Sequence, residues 1–245
     1  MKSQLYVPRF YRERQPLPGG RASFNVLCRD TDLWIAADPK LEPLAREKVL
    51  NLRAELESYI SLHRDFLTSL EPLPNDESAP DIVRQMISAS RLAGVGPMAA
   101  VAGAMAEAVG RKLLEFTSEV IVENGGDIFL KTAGSFLTGV FAGDSPFTGK
   151  IAYEIETHEQ PVGLCTSSGT VGHSLSFGRA DAVTVHSQTA AVADAFATAV
   201  GNMIKTKDDI EAGLAYARKH KEIKGCGIIV GDGIGLYGDL RIVRL

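Results

Sequence analysis

The order of elements written into this sequence predicts an α+β fold, helices packed on a mixed or antiparallel sheet. Three observations carry the expectation. Apolar residues recur at helical spacing in the first half of the chain, at Leu44, Val49, Leu52, Leu56, Ile60 and Leu67. Short apolar runs bounded by glycine, asparagine and aspartate fill the middle. The two patterns come in blocks, without the regular strand–helix alternation of a parallel βαβ sheet.

Residues 1–21 read as an extended arm and residues 22–245 as one domain. Alternation at Phe24, Val26, Cys28, Leu33 and Ile35 predicts two short strands, with Arg29-Asp30-Thr31-Asp32 as the turn. Residues 42–70 form an amphipathic helix, broken once, which the proline-bearing loop 71–76 ends. Helices at 81–92 and 98–116 follow, and Pro97 suits the first position of the second. Strands come next at 120–122, 128–130, 136–141 and 150–156, the first two joined at Asn124-Gly125-Gly126, where glycine accepts a positive φ. A Thr/Ser/Gly-rich loop, 166–178, leads to a strand at 182–186. Helices at 189–204 and 207–220 and strands at 227–230 and 240–243 complete the chain, with the glycines of 231–238 serving turns.

Composition excludes several classes of function. The 245 residues carry a net charge of −4 and a mildly acidic balance, the opposite of a nucleic-acid footprint. No apolar run approaches the ~20 residues that span a bilayer, and no export signal stands at the N-terminus. Cys28, Cys165 and Cys226 form no C-x-x-C pair, as expected of a reduced cytoplasmic protein without structural zinc.

Three glycine motifs fail on context. Gly233-Ile234-Gly235-Leu236-Tyr237-Gly238 matches G-x-G-x-x-G, but no helix follows it. Gly94-Val95-Gly96 opens a helix, yet a helix rather than a strand precedes it, which removes the dinucleotide context and leaves its backbone amides either to an anion or to the helix start alone. Residues 143–150 have one residue too many for a phosphate loop, and Ile151 stands where Ser or Thr would hold magnesium. None of the five histidines has metal-ligand spacing with another. His173 lies in a loop dense in hydroxyls and glycines, which either presents donors to a phosphate or heterocycle or only caps its own turns.

Two carboxylates have comparable pairs of readings. Asp127 follows Gly125-Gly126 at the mouth of a tight turn, either near a ligand or bonded to its own backbone. Asp194 and Thr198 are four apart on an alanine-rich helix, so their oxygens share one face. They suit a hard cation such as Mg²⁺, or else serve the helix itself.

Taken together, three segments resemble the ApbE-like FAD:protein FMN transferases. Asn124-Gly125-Gly126-Asp127-Ile128 is similar to their N-x-G-G-D-I turn, and Thr166-Ser167-Ser168-Gly169 to their T-S-G loop. Ala193-Asp194-Ala195-Phe196-Ala197-Thr198-Ala199 is similar to their A-D-A-L-A-T-A helix. The resemblance implies FAD as the bound nucleotide and Mg²⁺ on its pyrophosphate, held by Asp194 and Thr198. It further implies a flavin pocket lined by Asn124, Gly125, Gly126, Asp127, Thr166, Ser167, Ser168 and Gly169, with His173 and Asp127 as catalytic candidates. A protein threonine would be the acceptor. Where the family carries K-G-x-x-V-D, this chain has Ala102-Gly103-Ala104-Met105-Ala106-Glu107. The expectation is a divergent cytoplasmic branch: a Mg²⁺-dependent flavin-nucleotide transferase, or a binding protein that has kept the pocket without the chemistry. The partners expected are a flavin or nucleotide ligand, a protein acceptor and a second copy of the chain, with no nucleic acid and no membrane.

Overall fold

A computed structural model describes residues 22–157, 160–170 and 177–245. The arm expected at 1–21 and the candidate His173 lie outside the described residues.

An eight-stranded sheet forms the centre. Its strands are β1 (Ala22–Cys28), β2 (Thr31–Ala37), β3 (Val120–Asn124), β4 (Asp127–Lys131), β7 (Val162–Ser167), β8 (Ala182–Ser187), β9 (Ile223–Val230) and β10 (Gly233–Gly238), in that spatial order. A second sheet of three strands has the order β11 (Arg241–Arg244), β6 (Ile151–Glu156), β5 (Ser135–Gly139). Every neighbouring pair in both sheets is antiparallel.

The inner strands of the large sheet are buried on both faces, which explains why β3 and β4 read as continuous apolar runs. Val120, Val122 and Phe129 turn toward the helices, while Ile121, Ile128 and Leu130 turn toward the small sheet and meet Phe136, Tyr153 and Ile155. Two cores, helix-on-sheet and sheet-on-sheet, thus share one layer of backbone.

The long first helix is broken where the sequence allows one break: α1 (Glu42–Leu62) stops at His63, and α2 (Arg64–Thr68) resumes after it. α3 (Asp81–Ala93) ends at Gly94, whose φ of +72° closes it in the left-handed region. Pro97–Ala100 is a 3-10 turn rather than the start of an α-helix, and α4 (Val101–Leu113) begins only at Val101. The remaining helices are α5 (Ala190–Met203) and α6 (Ile210–Arg218). Among the described residues no single helix is long and apolar enough to cross a membrane.

Two strands differ from the sequence expectation, and glycine is the reason both times. Thr166 and Ser167, expected at the start of a loop, are the last residues of β7 and pair with Thr184 and Val183. The strand is disguised by Gly163, where an added Cβ would come 2.4 Å from the backbone of Ala190, so only glycine lets α5 lie this close. β10 is likewise a strand and not a run of turns. At Gly235 an added Cβ would meet the Ile210 side chain at 2.4 Å, because α6 lies across it. Turn chemistry is left to Gly231 and Gly238, with φ of +56° and +72°.

Candidate functional site

The site begins at the β3–β4 hairpin. Asn124 and Asp127 face each other across its mouth, and the two residues between them, Gly125 and Gly126, have φ of +72° and +104°. Two consecutive positive φ values are what a two-residue turn of this hand demands. Nothing crowds the turn: a Cβ at Gly126 would have its nearest neighbour, the Thr166 carbonyl oxygen, at 4.0 Å.

From this mouth two side chains reach the neighbouring elements. The Asn124 side-chain amide donates to the Ala102 carbonyl at 3.2 Å, tying the hairpin to the first turn of α4. Asp127 Oδ1 accepts from the Thr166 amide at 3.2 Å, tying it to the end of β7. The pairing of β4 with β7 makes these two segments neighbours.

α4 and α5 meet through a reciprocal exchange of carboxylates. Asp194 Oδ2 on α5 accepts from the Gly103 amide in the first turn of α4, at 2.9 Å. Glu107 Oε2 on α4 accepts from the first amides of α5, Ala190 at 2.7 Å and Ala191 at 3.4 Å. Each acid thus satisfies donors that the other helix leaves without partners in its first turn, where the dipole also favours negative charge. Glu107 Oε1 meanwhile holds Arg111, at 2.8 Å from Nε. The contact requires Gly103, since a Cβ there would lie 2.2 Å from the Ala190 carbonyl oxygen.

Burial makes the centre electrostatically costly. Asp194 is pushed up to about 7 by loss of water, partly offset by the amides of Gly103 and Ala102. Asp127 is pushed well above the carboxyl range, first by burial and then by the charge of Asp194. The Cys165 thiol between them is raised by burial and by both carboxylates, and its Sγ donates to the Ala190 carbonyl at 3.2 Å. Neither aspartate has a cationic partner among the described residues.

Of the residues singled out in the sequence, Asn124, Gly125, Gly126, Asp127, Thr166 and Asp194 converge here. Thr198 follows Asp194 by one turn of α5 and is half-buried, so its hydroxyl shares that side of the helix. Ser167 ends β7, whereas Ser168 and Gly169 belong to the loop beyond it. Ser168 Oγ accepts from the Thr170 amide at 3.1 Å. Gly169 donates to the Ala180 carbonyl at 2.9 Å, and its missing Cβ makes room for the Gly178 carbonyl. Glu107 is the residue that motif reading undervalued; its signal is an acid within an otherwise apolar, alanine-rich helix. Among the described residues no three His, Cys, Asp or Glu side chains form a cation cage. The local donors are instead carboxylate and hydroxyl oxygens, a set that suits a hard cation keeping most of its water.

The family model described as AbpE bacteria matches residues 14–222. UPF0280 protein MJ1526 of Methanocaldococcus jannaschii is 41% identical over 222 residues, spanning 88% of this chain and 90% of the relative. A UPF0280 protein of Methanocella arvoryzae is 39% identical over 226 residues, 91% and 92% of the two chains. Among solved structures, the apo flavinyl transferase ApbE of Pseudomonas stutzeri superposes with a TM-score of 0.58 at 15% identity, over 89% of this chain and 93% of that one. The flavin transferase ApbE of Vibrio cholerae gives 0.58 at 15%, over 89% and 96%. Likeness at this identity establishes a shared fold.

Proposed function

Because the chain belongs to the AbpE bacteria family, we propose that it is a magnesium-dependent enzyme acting on a flavin nucleotide at its phosphate bridge, with FAD as donor. One observation supports this above the others: of two buried carboxylates, Asp127 lies within the field of Asp194 where four elements converge, with no cationic partner for either among the described residues. Such a pair is stable when a bound ion supplies the missing charge.

In this reading Asp194 and Thr198 hold Mg²⁺, while Asn124, Gly125, Gly126, Asp127, Thr166, Ser167, Ser168 and Gly169 border the flavin nucleotide. The metal's chemistry is neutralisation of charge on the phosphates during transfer. The acceptor oxygen, from a protein hydroxyl or water, forms a bond to the flavin-side phosphorus as the bridging P–O bond breaks and AMP leaves. The acceptor's proton goes to Asp127 or His173. With the Asp194 charge neutralised, Asp127 would lose one of the three influences that hold its proton, burial, Asp194 and Glu123, and would become the better base.

A second reading, a flavin- or nucleotide-binding protein without transfer chemistry, is favoured by the Ala102-Gly103 sequence. The lysine of the resembled transferases is missing there, and the Gly103 amide already occupies one oxygen of Asp194. Incubation with FAD and Mg²⁺, followed by chromatography for AMP, separates the two. AMP release that Asp194→Ala abolishes supports the enzyme. FAD binding without AMP supports the second reading, and absence of binding by FAD, FMN and nucleotides overturns both.

A further inference from the structure

We propose, on the basis of the flavin reading, that Glu123 is a positioning residue of the nucleotide site. From the opposite face of the large sheet its carboxylate holds the Gly126 amide, and so fixes the hairpin tip that borders the ligand.

Alternation along β3 turns Glu123 away from the carboxylate centre. Val120 and Val122 face the helices, and Asn124 follows them to donate to Ala102 on α4. Glu123 has the parity of Ile121, and its ladder partners are Trp34 and Ile128, all three in the core between the two sheets. It is 1% exposed. A carboxylate in such apolar surroundings is stable only where hydrogen bonds satisfy it. One of its bonds runs to the tip of the hairpin, where Oε1 accepts from the Gly126 amide at 2.8 Å.

That amide is one the ladder does not use. The last pair of β3 and β4 is Asn124 with Asp127, which leaves Gly125 and Gly126 outside the pairing. Both have positive φ, and two consecutive glycines are the most freely jointed pair a chain offers. A tip left loose would be ordered by the ligand, and the lost freedom would be subtracted from affinity. The structure instead braces it twice, by Glu123 on Gly126 from one face and by Asp127 on the Thr166 amide from the other. Asn124, joined to the same tip, also lines a cleft of about 640 Å³ that runs between the β1–β2 turn, α1, α2 and α4 and opens onto the site. Fixing the tip therefore fixes one wall of the ligand's surroundings.

The test titrates FAD against the full chain in Mg²⁺, followed by flavin fluorescence, in the parent, Glu123→Gln and Glu123→Met. Glutamine and methionine are both uncharged and close to glutamate in size, so any effect of the lost charge is common to the two. Only glutamine offers Gly126 an oxygen. Glu123→Gln should bind FAD within about twofold of the parent, and Glu123→Met about tenfold more weakly, roughly the ordering of one backbone residue. Equal affinity in the two variants, or an equal loss in both, would overturn the proposal even where Glu123→Met melts lower, since a bond serving only the fold leaves the affinity of the folded chain unchanged. Should Glu123→Met not fold, amide exchange at Gly126 in the parent decides. Slow exchange before FAD is added supports the proposal, and exchange at the rate of an open turn before FAD is added overturns it. Failure of the parent to bind FAD, FMN or nucleotides overturns the flavin reading and this assignment with it. FAD binding that is indifferent to the choice of glutamine or methionine overturns the assignment alone.

Discussion

Glu107→Ala isolates the exchange of carboxylates between α4 and α5. The substitution strips the Ala190 amide of a 2.7 Å bond and the Ala191 amide of a longer one at 3.4 Å, in a place that water does not reach. A buried donor left without a partner costs about 1–3 kcal/mol, and the cap-like bonds of a helix start contribute about 1 kcal/mol. The Arg111 ion pair adds little, because Arg111 is 49% exposed and screened by solvent. The expected loss is about 3 kcal/mol, read by urea denaturation. For a chain of 245 residues the entropy of unfolding near the midpoint is about 0.5 kcal/mol per kelvin, so Tm should fall by about 6 °C. Glu107→Gln keeps an oxygen for the Ala190 amide and should lose about 1 kcal/mol; Arg111→Ala should stay within about 1 kcal/mol of the parent. Hydrogen exchange at Ala190 and Ala191 should accelerate in Glu107→Ala before the rest of α5 responds. If Glu107→Ala unfolds within about 0.5 kcal/mol of the parent, or if Arg111→Ala costs as much, the helix-start bonds do not hold α5 in place.

Two further outcomes follow from the same region. In a chelator, stability should fall as pH rises from the ordinary carboxyl value of 3.8 to about 7, since folded Asp194 keeps a proton that the unfolded chain releases. Asp194→Asn should reduce that slope without abolishing it, because Asp127 acts in the same direction; an unchanged slope in Tm against pH would remove Asp194 from the account. Gly110→Ala should destabilise despite the better helix propensity of alanine, about 1 kcal/mol in its favour. The new Cβ would lie 2.1 Å from the ring of buried Phe129. A loss of about 2 kcal/mol in urea is expected from such overpacking, and a stabilised variant would show that the ring moves aside freely.

The sequence by itself determined the kind of elements and most of their order. Helical spacing along α1 and the Asn124-Gly125-Gly126-Asp127 turn are local properties, carried by residues that need no distant partner to take their conformation. The motif residues could likewise be read as a set, because hairpin, strand end and helix each keep a short signature. Tertiary structure decided the rest. β7 and β10 hide behind Gly163 and Gly235, whose bare Cα positions make sense only once α5 and α6 lie against them. Glu107 is one more acid on a helix until the start of α5 arrives 2.7 Å away. Arg29, Arg53 and Arg64 line one cleft with Met98, Met105 and Asn124, residues distant in sequence and brought together only when the β1–β2 turn, α1 and α2 pack beside α4. Periodicity records which face a residue turns inward; it does not record what that face will meet.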